Sequence, residues 1–200
     1  MDIIKQFNTK PERSICKALI HLLKNVQFQN ITVSQLLTHA EVSRGTFYIY
    51  FDDKYHLAEE VEQKAFNGFI QIMEGIRYEG ESVYYANIAD GCNPRFYEYF
   101  DYLEENYEVF KALFSENYLA GFSRRFSRVI MKERIKTTNY WYHTNIAWNN
   151  IKPISKKYRE EVLGALYINL FSTWIDNGMD FSKDEIVRLL TGLWASVKKL

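Results

Sequence analysis

Between Ile31 and Lys54 the chain reads ITVSQLLTHAEVSRGTFYIYFDDK, and no other stretch restricts the fold as tightly. Thr32 stands where a helix N-cap is needed, and Gln35 can close a capping box by reaching back to the Thr32 backbone. Ile31 and Leu36 flank that cap as a hydrophobic staple. Val33, Leu36, Leu37 and Ala40 then recur at helical spacing and make one apolar face. After a short break the signal repeats, with Ser43 as a second N-cap and Val42 facing Phe47 as a second staple. Two stapled helices joined by a tight turn make a helix-turn-helix. The outward face of the second helix carries Arg44, Thr46, Tyr48 and Ile49 rather than a solvating mixture of charges.

The strings I-T-V-x-x-L, V-S-R-G-T-F-Y, Y-F, and Asp53-Lys54 followed by Leu57 come in register and in that order. Together they resemble the DNA-binding unit of the TetR family (TetR/AcrR-like) of bacterial transcription regulators over roughly residues 8 to 60. The resemblance implies that the Thr32 hydroxyl and the Val33 N–H meet a phosphate at a helix N-terminus. It implies that Arg44, Gly45, Thr46 and Ile49 approach base edges, and that Ser43, Tyr48, Tyr50 and Lys54 hold the DNA backbone. One departure is Glu41, which occupies a turn position often held by Gly; a left-handed backbone there costs about 1 kcal/mol. The bland alternative is a helical hairpin of an all-α core, and the matched outward residues argue against it.

Charge adds little. Lys plus Arg and Asp plus Glu number 25 each, so no global field draws the chain to nucleic acid. From Met1 to Lys54 seven basic residues oppose five acidic ones, so specific contacts must carry much of any DNA affinity. Cys16 and Cys92 form no C-x-x-C and no disulfide framework, as suits a reducing cytosol. No signal peptide is read at the start, and the most apolar run, Val162 to Ile175, is shorter than the ~20 residues a bilayer needs. A cytoplasmic protein with no membrane contact is expected. His21 and His39 have no ligand partner at i+3 or i+4 and read as structural or solvent-facing, so no metal site is expected. His56 and His143 have no evident carboxylate partner, and no nucleophile elbow or phosphate loop occurs. The expectation is therefore no enzyme, no catalytic residues and no cofactor.

The rest of the chain predicts an all-α fold of about nine helices: a helix-turn-helix domain over residues 8–68 and a ligand-binding and dimerisation domain over 69–200. Residues 1 to 8 read as a short arm. Thr9 with Glu12 caps a first helix, with Ile15, Ala18, Leu19, Leu22 and Val26 on its stripe. Asp53 caps one long helix carrying Leu57, Val61, Ala65, Phe69, Met73 and Ile76. From Gly75 to Asn93 the pattern fades and a long loop is expected, until Asn93-Pro94 restarts a helix. Tyr118 to Lys136 is basic and amphipathic, which fits a solvated face more simply than a second DNA surface. Asn139 to Lys152 gives no clear signal. Pro153 ends it, and Ser155 is expected to cap a helix that closes at Gly178 as C′. Ser182 and Glu185 cap the last helix, whose apolar stripe runs from Ile186 to Val197.

Gly164, Tyr167, Trp174, Asn177-Gly178-Met179 and Ser182 with Glu185 resemble the last two helices of a C-terminal domain common among TetR-like regulators of Gram-positive bacteria. That resemblance implies a dimer interface, to which Leu189, Leu193 and Trp194 are assigned. Of the 33 aromatic residues, 26 lie beyond His56. Singly these are core filling; collectively they suit a pocket for a flat or apolar molecule, and Phe100, Tyr118, Phe122, Trp141 and Trp174 are named as its lining. The expected function is a homodimeric repressor that binds a palindromic operator in double-stranded DNA and is released by a small apolar or aromatic effector. The alternative is a regulator or coactivator of the same fold whose C-terminal domain binds a protein partner.

Overall fold

The computed structural model describes residues 1–142 and 153–197, with Trp141 and Trp194 described by backbone alone. These residues form ten α-helices and no strand. They are α1 (Lys10–Leu22), α2 (Val33–Ala40), α3 (Arg44–Tyr50), α4 (Lys54–Glu79), α5 (Glu81–Ala89), α6 (Pro94–Glu105), α7 (Tyr107–Phe114), α8 (Phe122–Tyr142), α9 (Pro153–Asp176) and α10 (Lys183–Val197). Short 3-10 turns lie at Ile4–Gln6 and Phe28–Asn30. The helices gather into two compact units, Met1–Gly68 with Glu105–Phe122, and Phe69–Glu104 with Ser123–Leu200.

The first unit is built from caps inward. At α1 the Thr9 hydroxyl accepts from the Glu12 N–H (3.3 Å) while the Glu12 carboxylate accepts from the Thr9 N–H (2.7 Å). Two of the four unsatisfied donors at a helix start are thereby met. Ile15 and Leu19 of α1, Leu36 of α2, Phe47 of α3 and Leu57 and Val61 of α4 are all fully buried together in its core. Each such side chain contributes about 1.5–3 kcal/mol of transfer free energy. Residues 1 to 8 are not a free arm. Ile3 and Phe7 are buried, and the Ile3 N–H donates to Asn106 Oδ1 (2.6 Å) while Asn106 Nδ2 donates to the Met1 carbonyl (2.9 Å). Two apolar side chains so close to the start gain more from burial than a tether loses in chain entropy.

The second unit is organised by rings. Phe69 stacks on Tyr99 (5.6 Å between centroids) and meets Tyr102, Phe126 and Phe171 at 5.3, 4.7 and 5.4 Å. Such pairs add ~0.5–1.5 kcal/mol beyond the area they bury. Burial pushes the Tyr84 and Tyr99 phenols well above the ordinary tyrosine range. A charged pair lies in the same unit. Arg77 of α4 donates to Glu133 of α8 (2.9 Å) and to Thr137 Oγ1 (3.4 Å), and Glu133 is buried. An unpaired carboxylate there would be costly, so α4 and α8 are held in one register.

Three further expectations are corrected. Gly75 to Asn93 is helical for most of its length, because α4 continues to Glu79 and α5 follows after Gly80 alone, at φ 101°. One glycine inside a long helix costs only about 1 kcal/mol, and α5 buries just Tyr84 and Ile88 at i, i+4, too short a stripe to read. The helix expected to begin at Ser155 begins at Pro153, since proline is well suited to a first helical turn. The amphipathic stretch read as ending near Lys136 continues as α8 to Tyr142. Residues 143–152 of the unreadable segment, His143 among them, lie outside the described residues.

Other local readings hold. Gly178 ends α9 at φ 71°, with its N–H on the Ile175 carbonyl (3.0 Å) and the Met179 N–H on that of Trp174 (2.7 Å), a Schellman closure. Ser182 and Glu185 exchange hydrogen bonds at 2.9 and 3.3 Å.

Gly164 of α9 lies directly against Ser127 and Met131 of α8, with no room for a Cβ. Gly164→Val should therefore destabilise the protein by about 1–3 kcal/mol, with Gly164→Ala milder because Ser127 can rotate away. Urea unfolding followed by circular dichroism checks both; a valine variant as stable as wild type would mean that the helices separate freely there.

Candidate nucleic-acid interface

Thr32 caps α2, its hydroxyl accepting from the Gln35 N–H (3.2 Å) and the Gln35 side-chain oxygen accepting from the Thr32 N–H (2.8 Å). The Val33 N–H belongs to the first turn of α2, where helix geometry leaves N–H groups without an intrahelical acceptor, as an anion would require. α2 ends at Glu41, which adopts φ 55° and ψ 43°, the left-handed cap anticipated from its turn position. The Val42 N–H returns to the Leu37 carbonyl (3.2 Å), so the chain reverses within three residues.

Ser43 then caps α3, its Oγ accepting from the Thr46 N–H (3.1 Å) and lying 2.8 Å from Thr46 Oγ1. Phe47 is the single fully buried side chain of α3 and packs on Phe51 (5.7 Å). Burying one face of a seven-residue helix leaves the opposite face outside. Ser43, Arg44, Gly45, Tyr48 and Ile49 are exposed, and Thr46 and Tyr50 half-buried. Ile49 is 75% exposed and Tyr48 49%. An isoleucine that open buries little of its apolar surface in the fold, and it can contact a thymine methyl in a major groove. Arg44 Nη2 donates to Ser34 Oγ of α2 (3.3 Å), a contact ten residues apart that the sequence did not point to. Ser34 is exposed and stands on the same surface.

Lys54 has a role beyond the expected phosphate contact. Its ammonium donates to the carbonyls of Phe28 (2.9 Å), Gln29 (2.8 Å) and Ile31 (2.8 Å), and rides over the Phe28 ring at 5.0 Å. All three of its N–H groups are thus used within the chain. Partial burial draws its pKa below the ordinary lysine value. Asp53 caps α4 through its Oδ1, 2.8 Å from the N–H groups of Tyr55 and His56. His56, for which no carboxylate partner was expected, has Asp52 Oδ2 at 3.4 Å and accepts from the Asp52 N–H (3.2 Å). The spacing is i, i+4 across a helix start, a pairing that was open to reading.

The ten residues expected to touch DNA therefore all lie on α2, α3, the N-caps of those helices or the first residue of α4, and none is fully buried. The five aromatic residues assigned to a pocket are distributed differently. Phe100 and Trp174 meet in the second unit (5.2 Å, nearly perpendicular), and the Trp174 indole N–H donates to the Phe181 carbonyl (2.9 Å). Tyr118 and Phe122 meet in the first unit (5.9 Å), where Phe122 stacks on Phe66 and the Tyr118 hydroxyl donates to Glu62 (3.0 Å). All four are buried, and the Trp141 side chain lies outside the described set. Leu189 is 47% exposed and Leu193 half-buried on α10; the Trp194 side chain is not among those described.

A family model described as "Bacterial regulatory proteins, tetR family" matches residues 15–61, and one described as "Transcriptional regulator C-terminal region" matches residues 92–195. Over 50 residues, 25% of this chain, the sequence is 40% identical to the uncharacterized HTH-type transcriptional regulator YxbF of Bacillus subtilis (strain 168); the match spans 13% of that relative. The fold resembles the solved structure of the dihydroxyacetone kinase operon activator DhaS, with a TM-score of 0.59 and 19% identity over 95% of this chain and 97% of that one. That likeness concerns the fold alone.

Lys54→Met keeps most of the aliphatic stem and leaves three carbonyls without their cation, so it should cost about 2 kcal/mol of unfolding free energy. Denaturant unfolding of the protein without DNA tests this. A midpoint unchanged from wild type would assign Lys54 to DNA alone.

Proposed function

The chain belongs to the TetR family of bacterial transcription regulators, and on that premise we propose that it is a cytoplasmic homodimer that binds a palindromic operator and represses until an effector releases it. The observation that carries the DNA reading is the outward face of α3, where Ile49 and Tyr48 stand exposed beside Arg44 and Gly45. Thr32 and the Val33 N–H would receive a phosphate, and Ser43, Tyr48 and Tyr50 would fix the register along the backbone, with Lys54 acting on a phosphate through its charge because its three N–H groups are held by carbonyls of the chain. Arg44, Gly45, Thr46 and Ile49 would read base edges. No catalytic role is assigned to any residue.

The dimer is assigned to α9 and α10. Val162 on α9 is 64% exposed and Leu189 on α10 47%, more apolar surface than these helices need for their own packing. A two-fold axis through them would match the symmetry of a palindromic site. The effector is assigned to the ring cluster of the second unit around Phe100 and Trp174. It must bind the DNA-free form better than the DNA-bound form, since equal affinity shifts nothing. A second reading, a protein partner in place of a metabolite, draws on Tyr78 and Tyr140, an aromatic pair 5.9 Å apart with both rings exposed.

Protection mapping on the DNA upstream of the gene tests the proposal, with a reporter reading the sign of regulation. On the mapped site, Tyr48→Ala should weaken binding equally across operator variants, because a phosphate contact carries no sequence information. Thr46→Ala should relax preference at one base position per half-site, by roughly 1–3 kcal/mol. Equal weakening on every variant would refute the role given to Thr46. For the dimer, Leu189→Glu should convert the sedimenting species to a monomer at micromolar concentration, because a charge in that seam would be desolvated without a partner. A wild-type protein that is itself monomeric there would remove the homodimer from the proposal.

A further inference from the structure

His21 and His39 have no ligand partner within their own helices, yet the fold brings them together. His21 lies in the last turn of α1 and His39 in the last turn of α2, and their ring centroids are 5.6 Å apart with planes inclined at 38°. Both side chains are exposed, so the pair is not core packing. His39 Nδ1 lies 2.9 Å from the Gln35 carbonyl oxygen, which can only accept, so that hydrogen bond puts the proton on Nδ1. Nε2 is then the nitrogen with a free lone pair. An imidazole whose far N–H is held by a backbone carbonyl is the usual arrangement of a metal-bound histidine, because that bond fixes the tautomer and the ring orientation.

The spacing agrees. A zinc–imidazole bond is about 2.0–2.1 Å, and two rings on one tetrahedral ion have centroids about 5.3 Å apart. We propose that His21 and His39 form a two-imidazole site for a divalent transition-metal ion of the zinc type, which ties α1 to α2. Imidazole favours zinc, copper and nickel over magnesium or calcium, which take oxygen ligands. Among the described residues no group of three or more His, Cys, Asp or Glu is placed to hold a metal, so water or an external ligand completes the sphere. Two protein ligands make an exchangeable site rather than a permanently filled one. Because α1 and α2 are joined only in the folded unit, the ion binds the folded chain and stabilises it by mass action. Neither histidine belongs to the DNA-facing set, so this site stands independently of the operator reading.

The test uses full-length protein without an affinity tag, stripped with chelator and titrated with zinc chloride by calorimetry, with thermal unfolding in parallel. Wild type should take up an ion with micromolar affinity and show a melting midpoint that rises with zinc. His21→Ala and His39→Ala should each weaken that binding at least ~10-fold and abolish the rise. Both positions are exposed and helical, where alanine is well tolerated, and circular dichroism checks the fold of each variant. A measurement that needs no variant is electron paramagnetic resonance of wild type with one equivalent of copper(II), which should show nitrogen coupling from two imidazoles. Absence of saturable zinc uptake, uptake unchanged in both variants, or coupling from fewer than two nitrogens would overturn the site.

Discussion

The ammonium of Lys54 closes on three carbonyls between Phe28 and Ile31, and the first unit depends on that closure. Those carbonyls lie in the 3-10 turn that leads toward α2 and at the residue just after it, and Lys54 is the first residue of α4. One cation therefore ties the segment before the helix-turn-helix to the helix after it. The Phe28 ring beneath the ammonium is fully buried and contacts Tyr55 and Tyr118 edge-on. A charge in such a place is tolerated because every one of its donors has an acceptor. With both ends held, α2 and α3 need only a small core of their own, and the short α3 can commit its single buried residue, Phe47, to that core. The remaining positions of α3 are then free to face a ligand.

The second unit rests on a different balance. Its centre is a cluster of aromatic rings around Phe69 and Phe171, and several polar groups of the unit find partners of their own. Arg77 answers Glu133, Thr137 answers both Arg77 and the Glu133 carbonyl, and the Trp174 N–H finds the Phe181 carbonyl. Lys183 bridges Asp101 and Glu104 at the surface, and those two carboxylates raise its pKa to about 12. The close approach at Gly164 lets α8 and α9 pack backbone against side chain. α4 serves both units, with residues 54–68 in the first and 69–79 in the second.

Six of the ten helix starts were legible because capping is local. Thr9, Thr32, Ser43, Asp53, Asn93 and Ser182 each accept a hydrogen bond from an N–H two or three residues ahead, a distance that any reader of the sequence can count. The left-handed turn at Glu41 was suggested by the family resemblance, in which Gly often holds that position. α5 was missed because its register is set by burial of Tyr84 and Ile88 against other helices, and two residues give no period. The start of the chain was misread because nothing in the first eight residues shows that Asn106 waits for the Ile3 amide.

The sequence by itself determined the helical class, the capped boundaries, the helix-turn-helix and the outward side of α3, because each follows from groups within about four residues of one another. Tertiary structure alone decided which residues meet across elements. It set Lys54 on the Phe28–Ile31 carbonyls, Arg44 on Ser34, and His21 beside His39. It also separated the aromatic residues by unit, pairing Phe100 with Trp174 and Tyr118 with Phe122. A ring carries the same apolar area in either place, so composition cannot assign it; shape and packing against distant helices do.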